Sequence, residues 1–265
     1  MTHRFSTRRS AAWLLAVCSF LFATQALAAE VHVVSSGGFA EAYRRLAPEF
    51  ERMTGNTLVT GWGPSMGDTA NAIPNRLRRG EAIDVVIMVG SSLDKLAEQG
   101  RVKPDSRALL ARSSIGMAVK AGATKPDISN LEALKKTLLA AKSIAYSDSA
   151  SGVYLENVLF PRLGIADALK GRAHMIPAEP VGQVVARGDA EIGFQQISEL
   201  MPVPGITVVG ALPAEAQHVT LFSAGVVAGT KEPEAAQSLI RFLSSRDAAG
   251  VIRATGLEAP DADRH

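Results

Sequence analysis

Beyond its N-terminal segment, the chain alternates short apolar runs with longer stretches whose apolar residues recur every three or four positions. The runs VHVVSS at 31–36, NTLVTGW at 56–62 and DVVIMV at 84–89 predict buried strands. Between the first two, Phe39, Tyr43, Leu46, Ala47 and Phe50 fall on one helical face. A second helix is predicted over 69–79, started around Pro74, and a third over 91–99, stopped by Gly100. This βαβαβα order predicts an α/β fold with a mostly parallel sheet flanked by helices.

The pattern breaks at Ser114 and starts again. Strands are predicted over 114–122, 143–148, 173–178, 190–196, 206–212 and 218–229. Helices are predicted over 131–140, 152–163, 180–187, 234–243 and 247–255. The expected organisation is two lobes. Lobe one comprises 29–113 and 227–265, and lobe two 114–226. Two crossings between lobes suit a hinge.

The N-terminus is sequence of another kind. Arg4, Arg8 and Arg9 precede an apolar run at 11–23, and Ala26 and Ala28 form an A-x-A pattern. These features predict a secretory signal peptide over 1–28, cleaved after Ala28 to leave a periplasmic protein without a stable membrane anchor. The Arg8–Arg9 pair leaves the choice between general and twin-arginine export open. Removing the leader changes the chemistry. The formal charge of +2 becomes about −1 once its three arginines go, so the basic balance of the full chain implies no nucleic-acid partner. The only cysteine, Cys18, leaves too, and with it any disulfide or thiolate site. The histidines show no ligand spacing, so no metal is expected. A monomer is expected.

The candidate chemistry lies where predicted strands turn into helices. Four such turns are rich in small or hydroxyl residues: Ser35-Ser36-Gly37-Gly38, Gly63-Pro64-Ser65-Met66-Gly67, Ser147-Asp148-Ser149-Ala150-Ser151-Gly152 and Ala178-Glu179-Pro180-Val181. In an open α/β sheet they sit at the carboxyl edge, where ligands bind. Each opens a helix whose first N–H groups lack intrahelical partners and whose dipole end is positive. Two turns per lobe facing one cleft would hold a small anion without fixed cations. Any one turn alone serves equally as an ordinary serine cap. Arg112, just before the crossing, is within sequence reach of such a cleft. Asp148 reads as a helix cap and Tyr154 as a packing residue. No Ser–His–Asp spacing, P-loop or dinucleotide fingerprint is present.

The segments SSGGFAEAYRRLAPEFERMTG, GEAIDVVIMV, SDSASGVYLENVLFPRLG and GDAEIGFQQISEL together resemble the periplasmic molybdate-binding protein family, over about 30–257. The resemblance implies the two-lobed type II periplasmic binding-protein fold. It implies a tetrahedral oxyanion gripped by serine hydroxyls, backbone amides and a tyrosine hydroxyl. By position, the first-turn serine of the family falls on Gly37 and the second on or near Ser65. An alanine contact falls on Ser151, a valine contact on Val181, and the tyrosine on Gln196. With Ser36, Ser149 and Arg112 from the turns and the crossing, and Gln195 beside Gln196, the candidate ligand-binding set is Ser36, Gly37, Ser65, Arg112, Ser149, Ser151, Val181, Gln195 and Gln196. Two hydroxyl contacts are therefore lost, which favours a larger ligand such as a small polycarboxylate. These departures resemble a branch of the family that includes periplasmic aconitate isomerase, implying cofactor-free allylic proton transfer. His174, Glu156, Glu179 and Asp148 are then the acid–base candidates. Two alternatives stand beside it, a non-catalytic receptor for an organic acid and one for an oxyanion such as molybdate. Either would work with an ABC permease.

Overall fold

In the computed structural model, which describes residues 28–177 and 179–260, the apolar runs become ten strands divided between two five-stranded sheets. The predicted leader falls outside the described residues, apart from Ala28. No helix among the described residues is long and apolar enough to cross a membrane.

The first sheet begins with β1 (Glu30–Ser35), α1 (Gly37–Thr54), β2 (Thr57–Trp62), α2 (Ile73–Arg78), β3 (Val85–Val89) and α3 (Gly90–Glu98). Its last two strands are β4 (Ala108–Ser113) and β10 (Thr220–Val226), in the order β2-β1-β3-β10-β4. The second sheet holds β5 (Ile115–Lys120), β6 (Ile144–Ser147), β7 (Ala173–Ile176), β8 (Ile192–Gln196) and β9 (Ile206–Ala211), in the order β7-β6-β8-β5-β9. Its helices are α4 (Leu131–Ala140), α5 (Ala150–Tyr154), α6 (Phe160–Arg162), α7 (Val181–Arg187) and α8 (Ile197–Leu200). A π-helical turn at Leu155–Leu159 joins α5 to α6. The chain closes with α9 (Pro233–Leu243) and α10 (Arg246–Ala254) against the first sheet.

The pleat explains why the strands read as unbroken apolar runs. On β3, Val85, Ile87 and Val89 enter the core shared with α1, α9 and α10, while Val86 and Met88 enter the opposite one with Leu93 and Leu96 of α3. The second sheet repeats this. Ile144 and Tyr146 face one core, and Ala145 faces Val181, Val184 and Val185 of α7. A strand covered on both faces has no polar side to alternate with.

Each sheet is mostly parallel in strand direction, with one reversed member. β10 runs antiparallel to β3 and β4, and β5 runs antiparallel to β8 and β9. The reversed strands are the ones that enter from the other sheet, β5 directly after β4 and β10 after β9. The first sheet change falls between Ser113 and Ile115. The second differs from expectation. β10 already belongs to the first sheet from Thr220, so the return lies between Ala211 and Thr220 rather than at Val227. The run 218–229 reads as one strand in either sheet, and pairings such as Phe222 with Val89 decide which. Gln217 ties the two crossings together, accepting from the Ile115 N–H at 2.9 Å and donating to the Ile115 carbonyl at 3.0 Å.

Two local readings also change. β4 was not predicted, and the helix expected over 69–79 starts only at Ile73. Residues before it form a loop fastened by Asn75, whose amide donates to the Thr69 carbonyl at 2.8 Å. Pro74 sits in the first turn of α2, where its missing N–H costs nothing.

Candidate functional site

The carboxyl ends of β1, β6 and β8 meet across the gap between the sheets and enclose a cleft of about 220 Å³. That is several times the roughly 30 Å³ share of one water. Two larger hollows, of about 440 and 700 Å³, are lined by residues of the first lobe alone. Only the smaller cleft is shared by both lobes among these three.

From the first lobe come Ser36, Gly37 and Gly38 at the start of α1, with Trp62, Asn71 and Phe222 around them. Ser36 occupies the N-cap position with an extended backbone, yet its side chain makes no capping bond. Its Oγ is buried and has no hydrogen-bond partner. From the second lobe come the turn Ser147–Ser151, then Glu179, Gln195, Gln196 and Glu199. The Ser147 and Ser151 hydroxyls bond each other at 2.9 Å. Gln196 Nε2 donates to Thr220 Oγ1 at 2.9 Å, reaching from β8 to β10, while its Oε1 is buried without a partner. Each lobe thus contributes a cleft-lining residue with a buried polar atom left unsatisfied, and such atoms are uncommon unless a ligand or water completes them. No lysine or arginine lines the cleft among the described residues.

Ser36, Gly37, Ser149, Ser151, Gln195 and Gln196 line this cleft. Three other expected ligand residues lie elsewhere. Ser65 is fully buried in the first lobe, where its Oγ accepts from the Val89 N–H at 2.9 Å. Val181 is buried, and its N–H donates to Gln195 Oε1 at 3.0 Å, so that amide is taken by the protein itself. Arg112 is exposed on the edge strand β4. It is bridged to Glu258 through the backbone and sits 3.9 Å from that carboxylate.

The acid–base candidates separate similarly. His174 is exposed on the edge strand β7, and Glu156 is exposed on the π-helical turn; neither lines the cleft. Glu156 instead faces Tyr146, whose hydroxyl is pushed up to about 12 by burial and by that carboxylate. Glu179 does line the cleft, but its hydrogen bond to Arg187 holds its carboxyl below the usual range. It is therefore fully ionised near neutrality and a weak base. Asp148 also borders the cleft. Tyr154 packs as expected, stacked on His218 with its hydroxyl donating to the Ala216 carbonyl at 3.1 Å.

Glu199 is the acid that the sequence reading passed over. It lies in the first turn of α8, directly behind β8, and lines the cleft. Burial pushes its carboxyl up to about 7, assisted by the nearby Asp148 charge and opposed by hydrogen bonds from Gln195 and the Gln196 backbone. Gln195 Nε2 donates to Glu199 Oε1 at 3.1 Å. An acid early in a helix ordinarily reads as a dipole partner. The signal that marks this one is Gly37 in the other lobe: a Cβ there would stand 2.1 Å from Glu199 Oε1.

The described residues contain no group of three or more His, Cys, Asp or Glu able to hold a metal. A profile of bacterial extracellular solute-binding proteins matches residues 31–258. The chain belongs to that family. Among relatives of this solute-binding protein, an aconitate isomerase from Pseudomonas sp. is 55% identical over 226 residues, covering 85% of this chain and 86% of that one. A molybdate-binding protein from Azotobacter vinelandii is 26% identical over 250 residues, covering 92% and 95%. The solved periplasmic molybdate-binding protein of Azotobacter vinelandii superposes with a TM-score of 0.70 at 23% identity, covering 87% of this chain and 100% of that one. This last likeness fixes the two-lobed fold. A small anion is the kind of ligand that this family suggests, and the α1 start with the Ser36 hydroxyl beside it can donate to one.

Proposed function

We propose that this solute-binding protein is a periplasmic isomerase that interconverts cis- and trans-aconitate in the interlobe cleft, by moving a proton across the allylic system without a cofactor. The observation that carries the reading is 55% identity to an aconitate isomerase across 85% of the chain. The geometry agrees with it. A tricarboxylate is long enough to use the α1 start and the second-lobe turn together, and its oxygens can meet the unpaired Ser36 Oγ from one side while a protonated or hydrated group meets Gln196 Oε1 from the other. Negative charge developing on the carboxylates in the transition state is then met by fixed amides and hydroxyls rather than by water.

The test is incubation of the purified protein with cis-aconitate in heavy water, followed by NMR. Formation of trans-aconitate is the expected result, with deuterium at the shifted carbon in proportion to how far the protein base exchanges its proton with solvent before returning it. Tight binding without conversion would leave a carboxylate receptor, with an ABC permease as its partner. Tight molybdate binding with no affinity for aconitate would restore an oxyanion receptor.

Gln196→Ala supplies a second measurement. It removes both the bond to Thr220 and the unpaired Oε1. The expected loss of aconitate affinity in calorimetry is about 1–3 kcal/mol, the usual cost of breaking buried hydrogen bonds. Unchanged affinity would place the ligand elsewhere.

A further inference from the structure

We propose that Glu199 is the catalytic residue of this cleft, taking the proton from one allylic carbon of the substrate and returning it to the other. The assignment rests on the isomerase reading given above.

Three features of the fold single out this side chain. The first is the company it keeps. Glu199 belongs to the second lobe, yet its carboxylate lies against the start of α1 in the first, so close that any side chain at position 37 would push it aside. Beside it, Ser198 Oγ donates to the Gly38 carbonyl at 2.7 Å, a buried bond between the lobes. The carboxylate therefore lies where the lobes meet at the cleft.

The second feature is its orientation. Gln195 Oε1 is held by the Val181 N–H, which turns Gln195 Nε2 toward Glu199 Oε1. Gln195 is thus a positioning residue, and it fixes the carboxylate without neutralising it as an arginine would.

The third is elimination among the acids. Glu179 is engaged by Arg187, and Glu156 and His174 lie outside the cleft. Asp148 borders the cleft and raises the Glu199 carboxyl by like-charge repulsion, secondary to burial. The facing residues at the start of α1, the N-cap Ser36 with Gly37 and Gly38, carry no charge. A carboxyl that titrates near 7 can both accept and donate a proton at neutral pH, which one-residue shuttling requires.

The step balances on its own. The methylene C–H bond breaks, its proton passes to the Glu199 carboxylate, and the electron pair delocalises through the C=C–carboxylate system. The proton then forms a C–H bond at the far vinylic carbon, and the double bond has moved one position. No oxidant, reductant or second substrate is consumed.

The test compares wild type with Glu199→Gln and Glu199→Asp. Wild type must first convert aconitate; if it binds without converting, the isomerase reading falls and this assignment with it. Given conversion, Glu199→Gln is expected to lose roughly 10²–10⁴-fold in kcat, the usual contribution of a positioned acid–base group. Its affinity for cis-aconitate in calorimetry is expected to stay within a few-fold. Retention of kcat within about threefold of wild type would overturn the assignment and leave the isomerase reading intact. A second readout holds even where the glutamine variant folds poorly. The wild-type rate should rise with pH through about 7 as the base loses its proton, and the inflection should move in Glu199→Asp. An inflection that stays fixed while the rate falls uniformly would mean a structural role only, and would equally overturn the assignment.

Discussion

Gly152→Ala should lower the melting temperature by roughly 4–10 °C and weaken aconitate binding about tenfold. A Cβ at this position would stand 1.7 Å from the Ser147 carbonyl oxygen and 2.7 Å from its carbon. Both are backbone atoms, so no side chain can swing aside. Either β6 or the first turn of α5 must move. Overpacking of this kind costs about 1–3 kcal/mol, and more where the obstacle is backbone. The same movement separates Ser147 from Ser151, whose hydroxyls are 2.9 Å apart, and turns the second-lobe helix start away from the cleft. The effect on stability and the effect on binding therefore share one cause. Calorimetric melting together with ligand titration checks both. An unchanged melting temperature would show that the turn after β6 has slack that its packing does not reveal.

The sequence reveals the strands that are buried on both faces, because burial on both faces removes the polar positions. β3 is the clearest case, with all five residues buried. β4 was not legible for the opposite reason. It is an edge strand whose Arg112 is exposed, and Ala108 and Leu109 are only half covered. Sheet membership was harder still. The run containing β10 is apolar enough for either sheet, and its pairing partners lie more than a hundred positions away. Local pattern can show that a strand exists without showing which strands it joins.

The site divides along a similar line. Ser36, Gly37, Ser149 and Ser151 stand out because strand-to-helix turns gather small and hydroxyl residues at one sheet edge. Ser65 and Val181 share that signature, but the protein spends their polar atoms on Val89 and Gln195. Hydrogen bonds inside the fold have no sequence pattern at such separations. Glu199 is the extreme case. Nothing in the sequence around it distinguishes it from an exposed acid in a first helical turn. Its character comes from a glycine 162 positions earlier that lets the other lobe close over it. The resemblance that assigned a lost serine to Gly37 had therefore located half of a pair.

Gly37→Ser tests that pairing directly, and it should fold normally while losing about 10²-fold in kcat. The new Cβ would meet Glu199 Oε1 at 2.1 Å and Cδ at 3.1 Å. These atoms form the far end of a flexible side chain, so the clash is relieved by moving the carboxylate rather than the backbone. Stability should change little, since Gly37 is exposed and the helix start tolerates serine well. The carboxylate, however, can no longer rest under the Gln195 amide. A displacement of about 1 Å between a base and its proton is enough to cost roughly 10²-fold in rate. The added hydroxyl faces the same cleft and can donate to a ligand carboxylate, so aconitate affinity should hold or improve. Wild-type kcat in this variant would show that the space opposite Glu199 has no part in catalysis. A variant that binds aconitate tightly, melts with wild type and turns over about a hundredfold more slowly would show that one glycine separates a receptor from an enzyme on this scaffold.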